Sequence, residues 1–426
     1  MIEADLAVVG ISELATPEGS TARLGADLGR LRVVPDAAVA CRDGRFVFVG
    51  TERDFRQAVS LKTGGRTLDA RGATVLPGFV DAHTHLPFAG WRESEFNERL
   101  QGATYSQIAA RGGGILSTVA ATRAASLEDL ALLVRSRLDA MLALGTTLVE
   151  AKSGYGLSTE AEIKQLDAVR LGAAGHPVEV VPTFLGAHTV PKDRKDDRAR
   201  YIEEIVGEML PEVARRKLAR YADAFVDAHA FTPVEARRVL TAAAEAGLGV
   251  RLHADQLADD GGAMLAAELH AASADHLEHV SAAGIEALAR AKTAAILLPS
   301  ATFFLMQTVK PPSRRLIEAD VPVAIATDFN PGTSPNEAMG TVLELACLSF
   351  GMSIDESIAA ATLNAAYALG RAAETGSIEV GKRADLVIHA VPNRYHLVYR
   401  FGVRRVRSVI AAGRVVVEEG QRSPGA

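Results

Sequence analysis

Between residues 78 and 329, eight apolar, β-rich runs alternate with alanine- and leucine-rich amphipathic stretches. The runs end in GFVDAH, TTLVEAKS, VVPTFLGAH, DAFVDAH, GVRLHAD, ADHLEH, AAILLPS and VPVAIATDF. Near-continuous apolar runs mark strands covered on both faces, and parallel neighbours need a long crossover, usually a helix. The stretch SLEDLALLVRSRLDAMLALG (126–145) carries a helix's punctuation: Ser126 and Asp129 resemble a capping box, and Gly145 a C-terminal stop. Eight strands with helical crossovers predict an α/β chain whose residues 76–376 form a (β/α)8 TIM barrel. A doubly wound open sheet is the alternative.

The two ends differ from this middle. Residues 37–49, AAVACRDGRFVFV, place two β-prone runs about Asp43-Gly44, a hairpin signal. ADLVIHA followed by VRSVIAAGRVVVEEG repeats the pattern, with Ala412-Gly413 as the turn. Neither end has enough strands for a stable sheet alone. Residues 1–75 and 377–426 are therefore expected to share one small β-sandwich beside the barrel.

Composition narrows the partners. A net charge of −6 argues against nucleic acid or an anionic membrane surface. No apolar run approaches the roughly 18 residues of a membrane span. The start MIEADLAVVGIS has neither the basic nor the apolar region of an export signal. Cys41 and Cys347 are the only cysteines and lie far apart, which leaves no basis for a disulfide framework or a cysteine metal site. A cytoplasmic location and a small-molecule partner are expected. The charge run VPKDRKDDRAR reads as a solvated loop.

The polar residues are placed to a pattern. In FVDAHTHLPFAG (79–90), His83 and His85 stand two apart and share a face at a strand end. Histidine or a carboxylate closes nearly every other run: His188, Asp227 and His229, His253, His276 and His279, Asp328. Barrel enzymes build their sites from the C-terminal strand ends, so these groups would converge on one mouth. A lone histidine at a strand end is usually structural, but seven of the eleven histidines at such ends is hard to explain by packing. His83, His85, His253 and Asp328 make an N₃O ligand set that suits one divalent metal, zinc or ferrous iron, with room for a water. Such a water is acidified to a pKa of roughly 7. Asp328 can accept its proton, and His276 can polarise a substrate carbonyl. Residue spacing does not separate His276 from His279.

DAHTHL, the histidine of HADQ, DHLEH and TDFNPG together resemble the amidohydrolase superfamily. Within it the chain is most similar to the imidazolonepropionases, through PFAGWRESEF, RGGGI, EAKSGYGL, FLGAH, HADQ and TDFNPGTSP. The HTH element alone is specific only to the superfamily; EAKSGYGL with TDFNPG is far narrower. The resemblance implies a metal-dependent hydrolase that opens the cyclic amide of 4-imidazolone-5-propanoate to N-formimidoyl-L-glutamate in histidine degradation, working as a homodimer. It implies the same four ligands, and substrate contacts from Arg92, Tyr155, His188, Gln256, Asn330, Gly332 and Thr333, with Tyr105 nearby. Arg92 offers a planar fork for a carboxylate tail. Gly332, in NPGT, lets a ligand approach backbone closely.

Two positions depart from the wider pattern. Related metal hydrolases often carry a proton-shuttling glutamate three residues after the fifth-strand histidine. Here that residue is Gln256, as imidazolonepropionases also have it, and an amide cannot titrate. Proton transfer then falls to Asp328 and His276. Asp227 stands where a glutamate is expected. The alternative function is a deaminase of the same superfamily acting on a heterocyclic ring amine; Gln256 and Arg92 both weigh against it. A catalytically dead scaffold would be expected to have lost ligands, and all four are present.

Overall fold

The apolar run TVLPGFV is two strands in two different sheets. In the computed structural model, which describes residues 1–103, 107, 113–227 and 230–423, strands β1 (Ile2–Thr16), β2 (Arg32–Arg42), β3 (Arg45–Thr51) and β4 (Val59–Pro77) precede the barrel. Gly78 then turns the chain from one sheet to the other. A Cβ there would lie 2.2 Å from Thr147 Oγ1, so only glycine allows so close an approach.

The barrel strands are β5 (Phe79–Asp81), β6 (Thr146–Lys152), β7 (Glu179–Ala187), β8 (Tyr221–Phe225), β9 (Gly249–Ala254), β10 (Ser273–His276), β11 (Ala294–Leu297) and β12 (Val323–Ile325). Each pairs in parallel with the next. The circle closes just beyond the ends of its first and last strands, through a parallel bridge between Thr84 and Phe329. The expected eight-stranded parallel barrel is thus observed. Helices cover it as the sequence patterns predict. Leu127–Ala143 starts at Ser126, whose hydroxyl accepts from the Asp129 amide at 3.0 Å, and Gly145 follows its end with φ 99°. Its Leu130, Val134, Leu138, Met141 and Leu142 are buried.

The remaining strands, β13 (Leu386–His389), β14 (Val406–Ala411), β15 (Arg414–Glu418) and β16 (Gln421–Arg422), join the first four in one eight-stranded sheet, ordered β16-β15-β14-β13-β4-β1-β2-β3. Both hairpins form where the sequence places them, with positive φ at Asp43, Gly44, Ala412 and Gly413, the conformation a two-residue turn needs. The sheet curls upon itself. Phe46 N–H bonds the Lys382 carbonyl at 3.0 Å, Ala384 N–H bonds the Gly44 carbonyl at 2.8 Å, and the two hairpin tips meet at Gly44 and Gly413. Its core is its own, from Leu6, Ile11 and Leu14 through Val39 and Phe46 to Leu386, Ile388 and Ile410.

Two features depart from the sequence reading. The long parallel pair β1 and β4 lies inside this sheet, between β2 and β13, yet its pattern is broken by register shifts near Leu6 and Ile11. Part of VPKDRKDDRAR is ordered: Asp197 caps a helix at Arg198–Glu204, and Arg198 pairs with Glu235 at 2.5 Å.

Candidate active site

The seam that closes the barrel carries the site. Asp328 N–H donates to the His83 carbonyl at 3.0 Å, and His85 N–H to the Phe329 carbonyl at 2.9 Å. Asp328 takes φ 54°, a left-handed conformation that aspartate tolerates better than most residues. Its Oδ1 lies 3.4 Å from His83 Nε2 and 3.5 Å from His85 Nε2, while its Oδ2 accepts from Thr333 Oγ1 at 3.4 Å. Three overlapping triplets bring donor atoms within 4.8 Å of one another: His83–His85–Asp328, His83–His253–His276 and His85–His188–His253. All six residues are buried. Within the cluster, His83 Nε2 and His253 Nε2 have no hydrogen-bond partner. Buried polar atoms without partners are costly, and a cation shared among them removes the cost. This donor chemistry fits a divalent metal.

The barrel interior beneath is charged. Alternate residues of a strand face the same side, and Glu150 and Lys152 of β6, Asp223 of β8, Arg251 of β9 and Asp275 of β10 meet there, all buried. Asp275 Oδ2 lies 2.6 Å from His83 Nδ1, and Asp223 Oδ2 lies 3.1 Å from His253 Nδ1. Carboxylates behind histidines fix the ring orientation and present the far nitrogen to a metal. Lys152 Nζ lies 2.7 Å from both Glu150 and Asp223 and 3.6 Å from Asp275, and Arg251 lies 3.3 Å from Glu150 and 3.6 Å from Asp275.

This charge distribution sets the protonation states. Burial holds His253 well below its ordinary value, against the pull of Asp223, which favours the neutral form that can bind a metal. Burial also lowers His85. His83 is opposed by burial and Lys152, but the Asp275 and Asp328 carboxylates raise it to about 9: the site favours positive charge at this point. Burial works to raise Asp328, yet His83 and His85 hold it well below the usual carboxylate range.

Other groups ring this cluster. The His276 ring centroid is 5.4 Å from that of His253 and 5.7 Å from that of His83. His276 and Leu277 both have positive φ (79° and 69°), a strained pair held by Leu277 N–H to the Ala254 carbonyl at 3.1 Å. His279 is not among the ring contacts of the cluster; its amide instead bonds the Asp255 carbonyl at 2.8 Å. His188 stacks on His85 at 5.2 Å, and burial pushes it down to about 3. Its Nδ1 is 2.9 Å from the Gly154 carbonyl, which can only accept, so Nδ1 carries the proton and Nε2 a lone pair. Tyr155, raised by burial, packs on His85 and His188.

A model of the amidohydrolase family matches residues 74–416. The imidazolonepropionase of Symbiobacterium thermophilum is 50% identical over 98% of both chains, and that of Geobacillus kaustophilus 47% identical over 96% of this chain and 97% of the other. The chain belongs to the imidazolonepropionase family of amidohydrolases. Among solved structures, a zinc-bound adenosine deaminase from Xanthomonas campestris aligns with TM-score 0.72 at 20% identity, over 100% of this chain and 95% of that one. A triazine hydrolase variant aligns with TM-score 0.74 at 18% identity, over 99% and 96%. At these identities the likeness establishes the barrel fold.

The loops of this imidazolonepropionase-family chain place the remaining expected residues. Arg92 Nε donates to Glu95 at 2.9 Å, and its guanidinium lies directly over Gly332, where a Cβ would be 2.0 Å from Nη1. The space that glycine opens is therefore filled by Arg92. Asn330 shapes its own loop: its amide donates to the Asp328 carbonyl and to Thr333 Oγ1, both at 2.7 Å, and accepts from Gly332 N–H at 2.9 Å and Thr333 N–H at 2.8 Å. Gln256 is half-buried just beyond β9. Asp227 is buried, and its amide bonds the Phe231 carbonyl at 3.2 Å. Tyr105 and His229 lie outside the described residues.

Sequence reasoning missed the supports. Glu162 accepts the amides of Gly154, Gly156 and Leu157 at 2.8–3.0 Å, and Gln165 accepts from Tyr155 N–H at 3.0 Å while donating to the Pro87 carbonyl at 2.6 Å. Gln165 thus ties the Tyr155 loop to the loop after His85. Arg137 donates to the carbonyls of Leu86 and Phe88 and lies 3.5 Å over the Phe88 ring. Polar residues on the buried face of an otherwise apolar helix were the available signal.

Proposed function

We propose that the protein hydrolyses 4-imidazolone-5-propanoate to N-formimidoyl-L-glutamate, a step of histidine degradation. One observation carries the reading: in a chain 50% identical to an imidazolonepropionase, overlapping buried donor triplets of histidines and Asp328 stand beside Tyr155 and His188, with Arg92 seated over Gly332 in the loop after Asp328. His83, His85, His253 and Asp328 would hold one zinc or ferrous ion, which when bound supplies a nucleophilic water at neutral pH.

The chain's own residues divide the remaining work. Asp328 Oδ1 faces His83 and His85, which leaves Oδ2, on the Thr333 side, to take the proton from the attacking water. His276 draws charge toward the ring carbonyl oxygen as the carbon becomes tetrahedral. The ring C–N bond then breaks, and the proton held on Asp328 passes to the departing nitrogen. His188 Nε2, as a lone pair, accepts a ring N–H and sets the ring's face. Arg92, with its Nε anchored on Glu95, grips the propionate by its outer edge. Gln256 contributes orientation only, because an amide moves no proton.

No described helix is long and apolar enough to cross a membrane. A cytoplasmic homodimer remains our reading, supported by the family resemblance and by exposed apolar residues such as Leu348, Tyr399 and Phe401. The deciding experiment mixes metal-replete protein with freshly made 4-imidazolone-5-propanoate and follows loss of ring absorbance together with formation of formimidoylglutamate. A folded, metal-loaded protein that leaves the ring intact would refute the assignment.

A further inference from the structure

The buried charges under the histidine cluster are linked by one group. Lys152 Nζ, on the second barrel strand, reaches Asp223 on the fourth at 2.7 Å and Asp275 on the sixth at 3.6 Å. On each carboxylate it addresses Oδ2, the oxygen that faces a histidine: His83 Nδ1 at 2.6 Å from Asp275 and His253 Nδ1 at 3.1 Å from Asp223. The other oxygen of each, Oδ1, is buried without a hydrogen-bond partner. The two carboxylates therefore depend on shared cations inside the barrel. Arg251 makes its close contact with Asp275, at 3.6 Å, and reaches Asp223 only as a more distant charge. Lys152 also approaches the seam through its backbone, its amide bonding the Thr84 carbonyl at 2.9 Å between His83 and His85.

We infer that Lys152 is a positioning residue: it clamps Asp223 and Asp275 together, and through them fixes the rings of His253 and His83 in one relative orientation. Without the ammonium, two buried carboxylates repel and draw apart, taking the imidazoles with them. Lys152 itself meets neither metal nor substrate. The inference rests on the donor set proposed above. It extends that set to a residue three strands wide in reach, one that would matter to metal affinity before chemistry begins.

The test measures cobalt(II) and zinc(II) binding to protein stripped of metal, using competition with a chelator and the visible spectrum of the cobalt form. Lys152→Met should weaken the affinity on the order of 10- to 100-fold, as loss of an orienting partner does, and should alter the cobalt spectrum. Glu150→Gln is the control, since it removes the negative charge from the 2.7 Å contact with Lys152 but touches neither histidine. It should leave the spectrum unchanged and the affinity within a few fold. Equal losses in both variants would mean general destabilisation and overturn the inference, as would an unaltered affinity and spectrum in Lys152→Met. Should Lys152→Met fail to fold, Asp223→Asn, Asp275→Asn and their double variant decide. A clamp predicts that the second loss costs much less than the first, whereas strictly additive effects on affinity refute it. If the wild-type protein binds no metal through His83 and His253, the donor set fails instead, and the two failures are distinct.

Discussion

The Asp328 amide donates to the His83 carbonyl at 3.0 Å, so the bond that closes the barrel joins the first and last members of the donor set. The bonds that His83 and Asp328 give to the closure are backbone bonds, and beside them Asp81 accepts from the Thr327 amide at 3.1 Å and hydroxyl at 2.6 Å. The side chains of His83 and Asp328 project from it, so side-chain loss should leave the barrel closed.

His83→Ala and His253→Ala should therefore abolish metal binding and activity while far-UV circular dichroism keeps the wild-type shape. Elemental analysis of the purified variants checks this. Full metal occupancy in both would show that the histidines are not ligands.

Asp328→Asn should lower kcat at least ~10²–10⁴-fold, the usual worth of a general acid–base group. Gln256→Ala should be far milder, and Gln256→Glu should slow turnover by placing charge beside the ring while leaving the metal in place. Steady-state kinetics of the three variants, with metal content measured alongside, separates the roles. Equal damage from Gln256→Ala and Asp328→Asn would contradict the division of labour.

Much of this was legible in the chain, and the limits have physical causes. Strand ends carrying His83, His85, His253, His276 and Asp328 stand out because polar groups after apolar runs have few structural uses. Glu150, Lys152 and Arg251 stood in plain view inside those runs. A charge between apolar neighbours looks like an interruption until its period-2 spacing is matched with partners on other strands. The long strands β1 and β4 are hard to read in the sequence for another reason. Gly10, Gly64, Gly65 and Gly72 and the register shifts erase the alternation on which a strand reading depends. Separating His276 from His279 needed the ring contacts, since spacing alone places both near the strand end.

Acid sensitivity should have a source away from the site. His389, at the end of β13, stands 5.6 Å from Phe79, and burial together with Arg405 pushes it down to about 3. The unfolded chain takes up this proton near pH 6.5, whereas the folded one does not until about pH 3. Between these values the unfolded state binds more protons, so stability falls as pH falls, by about 1.4 kcal/mol per pH unit for this one group. His389→Leu should flatten the decline in urea midpoint from pH 6.5 downward by that increment. An identical pH dependence in the variant would remove His389 from the account.

Recognition of the tail gives the last prediction. An imidazolone ring is small, so binding energy from the propionate should orient it for attack. Arg92 is suited to this because Glu95 fixes its Nε at 2.9 Å and Gly332 leaves the space in which the guanidinium lies. Lysine has no fork, so Arg92→Lys should raise KM clearly. Gly332→Ala should do the same without touching a charge, since its Cβ would stand 2.0 Å from Nη1 and displace the arginine. Imidazolone lacking the propionate should be a very poor substrate for the wild-type protein, and the penalty for losing the tail should shrink in Arg92→Ala. Measuring kcat/KM for both compounds on both proteins completes a double cycle. Additive losses would mean that the carboxylate is held elsewhere, and a wild-type KM in Gly332→Ala would mean that the arginine does not need its seat over the glycine.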